Sequence, residues 1–408
     1  SWNIRLWNAG TTYYPASRQN FRNRYGRQGG VENYCMASQP WQYESNRAVY
    51  EATARKKYLT SGNLKYRYNT GWPALCFQFY DYYPRPNGAF FGTQKACEPL
   101  HVLYAYDDQF VYVVNSYYQP FRNLEVEATV YNFDMTEKFR QSSLVDVGPD
   151  SVVKAFQIPA PDDLSEIYFV NLEMNDENGK VISRNFYWLS SEGDMQADFG
   201  GLSGLSPVEL KANARFEPDG QFSSVYITLY NPEEELAFFV NPTIIKGLHG
   251  EEVLPVYWDE NYFSILPHDS LTVAATFNLK ELDGKKPHLM IEGWNIEPKE
   301  YTLTDPIKDV TPQLEYSEFF APDQVAPDRQ FEVSVTVTNG ADVGSGVMKT
   351  RQYLYIDGRA QGSRRIALAP GESTTLMWPY TRFSEPGEHT VTIGAHPAAT
   401  VAVEQERD

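Results

Sequence analysis

Cysteine is scarce in this 408-residue chain: Cys35, Cys76 and Cys97 are the only three, and no two have the spacing of metal ligands. An odd, sparse set excludes a disulfide scaffold, leaves room for one bridge at most, and is expected to consist of buried thiols. Histidine is equally thin. His101, His249, His268, His288, His389 and His396 are scattered, so no zinc constellation and no histidine-centred triad is visible. We therefore expect neither a metal nor a cofactor. Long apolar runs are missing as well: nothing approaches the roughly 20 residues that span a bilayer. Basic charge is in deficit, with 35 Lys and Arg against 53 Asp and Glu and a net charge of −18. Such a surface repels phosphate backbones and anionic lipid, which argues against nucleic-acid and membrane partners. An initiating Met and a signal peptide are also lacking. A chain opening Ser1-Trp2-Asn3 is expected to be a processed or separately chained C-terminal piece of something longer.

What the chain has instead is aromatic side chains, 15% of the total with 29 Tyr. They suit contact with carbohydrate, and they equally suit cross-strand pairs in many-stranded sheets. Period-2 alternation dominates after residue 100. Leu124, Val126, Ala128 and Val130 alternate with Glu125, Glu127, Thr129 and Tyr131, and Tyr168, Val170, Leu172 and Met174 repeat the pattern. Asn178-Gly179 reads as a hairpin turn with positive φ at both central residues. Asp198 to Gly204 reads as a flexible joint. Val225, Ile227 and Leu229 open a second patterned block, which closes on Trp258 to Ser264. Pro298 to Pro312 reads as a linker, and Phe331, Val333, Val335 and Val337 open a third block.

Before residue 100 the periodicity is helical. Residues 1–28 read as a long polar and aromatic loop with a helical turn near Gln19 to Arg24. Val31 to Leu59 predicts a helix with a face through Tyr34, Cys35, Ser38, Trp41, Ser45, Val49 and Ala52, kinked or delayed by Pro40, with Arg47 and Glu51 as an i,i+4 pair on its exposed side. Leu64 to Tyr68 predicts a short aromatic strand. Asn69-Thr70-Gly71 and Trp72-Pro73 then open an aromatic loop, and Ala89 to Cys97 predicts a further helix before Pro99.

The ordered series Asn69, Trp72-Pro73, Asp81-Tyr82-Tyr83, Gly88 to Gly92 and Lys95-Ala96-Cys97-Glu98-Pro99-Leu100-His101-Val102 resembles the last strand and helix of the catalytic barrel in glycoside hydrolase family 2, in its β-mannosidase, exo-β-glucosaminidase and glycoprotein endo-β-mannosidase branch. Gln39, Tyr43-Glu44, Arg47 and Glu51 match a barrel helix of that family, and Asn185 to Ser190 matches the closing phrase of its first immunoglobulin-like domain. Trp258, Asn261, Tyr262 and Phe263 match a phrase of its C-terminal one. The last hundred residues resemble adhesion-type immunoglobulin-like modules of bacterial secreted proteins. The sequence departs from the family at Tyr66-Arg67-Tyr68 and Cys76-Phe77, positions that bear on sugar preference.

The resemblance implies a mainly β chain: the C-terminal portion of a (β/α)8 barrel over residues 1–100, followed by immunoglobulin-like β-sandwiches over 101–198, 199–305 and 306–408. It implies a retaining β-glycosidase acting on terminal β-mannosides or β-glucosaminides. Retention needs two carboxyl groups about 5 to 5.5 Å apart. No Glu here matches either family motif, so both are expected upstream, on an N-terminal polypeptide that completes the barrel. This chain would supply substrate contacts from Trp7, Asn69, Trp72 and Asp81 to an oligosaccharide or glycoside. For Asp81 a structural hydrogen-bonding role is the competing reading; for Trp7 and Trp72 it is packing. A periplasmic or secreted bacterial location is expected. The reading from a different class is a non-catalytic, multi-sandwich carbohydrate-binding or adhesion protein.

Overall fold

The computed structural model describes residues 13–26, 30–71, 78–303, 308–310, 313–341 and 347–403. Contacts divide the chain into two compact units, residues 1–202 and 203–408.

The first unit opens with three helices, α1 (Tyr13–Tyr25), α2 (Gly30–Arg55) and α3 (Gly88–Ala96). α2 runs unbroken through Pro40. Its buried stripe is Ala37, Pro40, Tyr43, Glu44, Arg47 and Glu51, at the three-and-four spacing of one helical face. The face expected to be covered is so only in part: Tyr34, Ser38 and Trp41 are half-buried, with the rings of Tyr34 and Trp41 4.8 and 5.3 Å from Phe21, while Cys35, Ser45 and Val49 are exposed; Arg47 and Glu51, expected in water, are 1% exposed. The reason lies in what meets the helix, which is a polar seam of the following sandwich described below. Cys97, which caps α3, is likewise an exposed free thiol and not a buried one, while Cys76 lies outside the described residues. α3 starts at Asn87, whose side chain accepts the Phe90 amide at 3.2 Å. It crosses α2 so closely that a Cβ on Gly88 would strike the Gln39 carbonyl, and one on Gly92 the Tyr43 carbonyl.

Leu64 to Tyr68 does not form the expected strand. Leu64, Tyr66 and Tyr68 are exposed, and no described strand flanks them. A strand exists only through its ladder, so aromatic composition without a paired neighbour leaves irregular backbone.

Seven antiparallel strands complete this unit: β1 (Leu100–Tyr104), β2 (Phe110–Asn115), β3 (Phe121–Asn132), β4 (Glu137–Val147), β5 (Val152–Gln157), β6 (Ile167–Asn175) and β7 (Val181–Ser190). Sheets β4-β3-β6-β7 and β1-β2-β5 face each other as an immunoglobulin-like sandwich. Leu124, Val126, Ala128 and Val130 of β3 pack with Val170, Leu172 and Met174 of β6, as their alternation requires. β1 is buried on both faces: Leu100, Val102 and Tyr104 enter the sandwich core, and His101 and Leu103 turn toward the helices. At the β6–β7 turn only Gly179 has positive φ, because the Asp176 carboxylate, by accepting the amides of Asn178 and Lys180, lets Asn178 keep an ordinary conformation. Of the stretch expected to be a flexible joint, the part from Phe199 to Leu202 packs into the first unit. Gly200–Gly204 is a 3-10 turn; Phe199 donates its amide to the Arg24 carbonyl and lies under the Arg24 guanidinium at 4.8 Å. Burying Phe199 and Leu202 outweighs the freedom that the glycines would otherwise give.

The second unit holds two further sandwiches. Strands β8 (Lys211–Asp219), β9 (Phe222–Tyr230), β11 (Val256–Trp258) and β13 (Ser270–Asn278) form one sheet in the order β11-β13-β9-β8. It faces β12-β10-β14-β15-β16, built from β10 (Ala237–Lys246), β12 (Phe263–Ile265), β14 (Pro287–Glu292), β15 (Lys299–Thr302) and β16 (Lys308–Val310). Trp258, Asn261, Tyr262 and Phe263 are all buried in it. The last sandwich pairs sheet β17-β19-β22 with β18-β24-β23-β20-β21. Its strands are β17 (Leu314–Phe320), β18 (Gln324–Val325), β19 (Phe331–Asn339), β20 (Met348–Ile356), β21 (Arg359–Leu368), β22 (Ser373–Thr381), β23 (Gly387–Ile393) and β24 (Ala399–Val403). No described helix is long and apolar enough to cross a membrane.

Candidate functional site

Of the four residues that the sequence suggests for sugar contact, Trp7 and Trp72 lie outside the described residues. Asn69 is exposed beside a string of rings in which Tyr68 meets Tyr80 at 5.1 Å and Tyr80 meets Phe90 at 5.1 Å. The Tyr68 carbonyl also accepts the amides of Phe79 and Tyr80, at 3.0 and 3.1 Å. This string fastens the loop to α3 and leaves the Asn69 side chain at its edge. Asp81 is turned inward on its own loop: its carboxylate accepts the amides of Tyr83 at 2.8 Å and Arg85 at 3.0 Å. That is an Asx turn, which fixes the loop's shape.

The structure brings together three phrases far apart in the sequence. α2 contributes Arg47 and Glu51, the stretch from the end of α3 into β1 contributes Lys95, Glu98 and His101, and β7 contributes Ser183, Asn185 and Tyr187. His101 is fully buried, with Glu51 Oε1 3.0 Å from Nε2 and Glu98 Oε2 2.9 Å from Nδ1. A carboxylate on each ring nitrogen requires both to carry a proton. Burial works to lower the His101 pKa, but the hydrogen bonds from Glu51 and Glu98 prevail and raise it. Burial likewise works to raise Glu98; His101 and the Lys95 ammonium, 2.8 Å away, prevail and hold it at about 2. Glu51 is saturated: besides His101 it accepts from Asn185 Nδ2 at 2.7 Å and, on the other oxygen, from the Tyr187 hydroxyl at 2.9 Å. Arg47 Nη1 donates to Asn185 Oδ1 at 2.9 Å while its guanidinium lies 4.0 Å over the Tyr187 ring. Ser183 closes the set with 2.7 Å to Glu98.

A second closed set joins α1 and α2 to the same sandwich. Arg24 bridges Glu44 and Asp194 at 2.7 Å each, and Trp188 Nε1 donates to the Tyr25 hydroxyl at 3.1 Å. In the second unit Glu300 holds His249 at 2.7 Å and His288 at 2.6 Å. Burial opposes this carboxylate too, yet the two histidines keep it at about 2.

Each of these buried carboxylates is consumed by protein partners, so none is disposed as a nucleophile or general acid. Among the described residues no group of three or more His, Cys, Asp or Glu is arranged to hold a metal ion. The chemistry of the seam is adhesion: it locks the helical segment onto the sandwich. The sequence did signal it, in the polar breaks Ser183 and Asn185 on the inward-facing alternate positions of β7, but those breaks do not announce their partners.

Fold and seam together define a chain of immunoglobulin-like domains clasped to a helical segment, and comparison with known proteins refines that class. Residues 109–191 match a family model described as mannosidase Ig/CBM-like domain, and residues 185–296 match the exo-β-D-glucosaminidase Ig-fold domain. Residues 311–408 match the CARDB family. Exo-β-D-glucosaminidases of Amycolatopsis orientalis and Streptomyces avermitilis are each 33% identical, over 298 and 301 residues, which is 67% of this chain and 29% and 33% of the relatives. A mannosylglycoprotein endo-β-mannosidase of Lilium longiflorum is 23% identical over 342 residues, 68% of this chain and 35% of its own. The crystal structure of the Amycolatopsis orientalis exo-chitosanase superposes with a TM-score of 0.64 at 30% identity, covering 69% of this chain and 36% of that one. The β-mannosidase of Dictyoglomus thermophilum shares the fold at a TM-score of 0.51 and 18% identity, covering 68% of this chain and 31% of that one. Immunoglobulin-fold domains of the exo-β-D-glucosaminidase and mannosidase type thus make up much of the chain, which is a relative of the C-terminal part of glycoside hydrolase family 2 enzymes. It spans about a third of the length of the curated relatives it matches.

Proposed function

We propose that this chain is part of an exo-acting β-glycosidase that releases glucosamine from the ends of β-glucosaminides. The observation that carries this reading is the relationship, over two thirds of the chain, to proteins named exo-β-D-glucosaminidase in two bacteria and in fungi, Hypocrea jecorina among them. The closed polar seam supports it, because Glu51 and Arg47 on α2 join a helical segment to a sandwich and a free-standing string of adhesion modules has no need of such a clasp.

On this reading hydrolysis proceeds with retention, and both catalytic glutamates belong to polypeptide upstream of Ser1. That polypeptide is the partner that completes a barrel with the α2–α3 segment. This chain contributes position. Asn69 offers an amide that donates to and accepts from sugar hydroxyls, and Trp72 a flat apolar face for the C–H side of a pyranose. The seam then holds the helical segment on the sandwich, and the enzyme works in the periplasm or outside a bacterial cell.

The test is to express the chain alone and together with its upstream polypeptide, and to follow hydrolysis of aryl β-glucosaminide and aryl β-mannoside. Hydrolysis of the glucosaminide by the joined protein alone is the expected result, with Asn69→Ala and Trp72→Ala lowering kcat/KM by roughly tenfold or more. Hydrolysis by the 408-residue chain on its own, or mannoside hydrolysed faster than glucosaminide by the joined protein, would overturn the reading.

A further inference from the structure

The sandwich of the first unit is not filled to its end. A cavity of about 420 Å³ opens between its sheets, where the β1–β2 and β5–β6 connections and the segment after β7 converge. Strand periodicity makes the walls: Tyr104 is the last inward residue of β1 and Tyr168 the first of β6, so the two rings face the cavity from opposite sheets. Val130 and Leu189, both buried, close it toward the core. The rim is fixed on each side. Ile158 donates its amide to the Gln109 carbonyl at 3.0 Å, and Ser191 donates its own to the Glu166 carbonyl at 3.0 Å. Arg24 holds Asp194 by its carbonyl and its carboxylate, at 2.7 Å each, and Pro159 and Pro161 stiffen what remains. A preformed cavity gives up little freedom when it is filled.

The tyrosine hydroxyls are its telling feature. Tyr104 is 6% exposed, yet its hydroxyl makes no hydrogen bond to any described residue, and the hydroxyl of half-buried Tyr168 makes none either. A buried phenol ordinarily has a partner, so two that line a cavity without one are directed at whatever occupies it. Burial, and then the neighbouring Tyr168 and Asp108, raise the Tyr104 pKa above its ordinary value; burial alone does so at Tyr168. Both are therefore protonated donors at neutral pH. The charged residues of the lining are Glu44, Asp163 and Asp194, and no Lys, Arg or His stands among the described residues that line it, so an anion finds no counter-charge on the walls. Glu44 and Asp194 are taken by Arg24, which leaves Asp163 as an acceptor. Donating phenols, an accepting carboxylate and apolar ring faces are complementary to a molecule whose hydroxyls both donate and accept and whose ring presents C–H faces.

We propose that this cavity seats a pyranose ring of a short β-linked saccharide, with Tyr104 and Tyr168 donating to its oxygens and Asp163 accepting from its hydroxyls. The inference rests on the glucosaminide reading for its choice of sugar alone, and it adds a place in the first unit where saccharide is held.

The experiment is calorimetric titration of the 408-residue chain with the β-linked dimer of glucosamine at pH 7. Saturable binding is expected. Tyr104→Phe and Tyr168→Phe, which keep the rings and remove only the hydroxyls, should each weaken it about tenfold. Their melting temperatures should match that of the parent chain, because neither hydroxyl bonds to the protein, and so a loss of binding is not a loss of folding. Absence of saturable binding, affinity indifferent to both substitutions, or a fall of several degrees in the melting temperature of both variants would each overturn the proposal. Failure of the glucosaminide reading shows separately, as absence of aryl β-glucosaminide hydrolysis by the joined protein.

Discussion

His101 has a carboxylate on each ring nitrogen, and that fixes how the first unit responds to pH. Its folded pKa is raised above the ordinary 6.5, so the stability it contributes is fully present below that value and is lost as pH rises through the folded pKa. Glu98 runs the other way: lowered from 4.5 to about 2, it contributes above 4.5 and loses that contribution as pH falls toward 2. Melting of the first unit, followed by its tryptophan fluorescence, should therefore be highest between about 4.5 and 6.5. In His101→Gln the alkaline limb should flatten; an unchanged limb would show that the imidazolium is not the group responsible. Glu51→Ala should be more severe, on the order of 3–5 kcal/mol by denaturant titration, because it leaves His101, Asn185 and Tyr187 buried with a lost acceptor. A cost below 1 kcal/mol would mean that water replaces the carboxylate. Little of this is legible in the sequence. Arg47 and Glu51 have the same i,i+4 spacing on a wet face as on a dry one, and charged residues are rarely buried without partners. Here the partners, His101 and Asn185, lie on strands that the helix meets only after folding.

Among the elements, the α2–α3 crossing depends on two hydrogens that stand where side chains would be. Gly92→Ala should cost about 1–3 kcal/mol, because the added methyl meets the Tyr43 carbonyl, and two packed helices yield only by separating. The check is chemical denaturation beside Gly179→Ala, which meets no neighbour and carries only the strain of its positive φ. Strands with one dry face were plain in the sequence: Val225, Ile227 and Leu229, or Val333, Val335 and Val337, define their own register. Leu64 to Tyr68 misleads for the complementary reason. Its aromatics meet the local preference of a strand, but a ladder is a property of neighbours. The turn at Gly200–Gly204 reads as a linker by its glycines, and only the ring of Phe199 beneath Arg24 reveals it as an anchor.

For the whole molecule the governing quantity is the net charge of −18. A polycationic saccharide is drawn to such a surface, and the attraction is screened over roughly 10 Å at 0.1 M salt. Association of glucosamine oligomers should slow as salt is added, by about tenfold or more between low and physiological ionic strength, while the N-acetylated oligomers should show little salt dependence. Stopped-flow mixing measures this; rates indifferent to salt for both sugars would leave the charge without a role in encounter. The sign of the charge was legible from composition. The buried seam has a consequence for descent. Glu51, His101 and Asn185 sit on three separate stretches of the chain yet share one set of hydrogen bonds. A recombination event that exchanges the helical segment or the sandwich between divergent lineages would part a lock from its key. We expect such hybrids to survive only where both parents carry the same trio, so that these three positions are inherited as one allele.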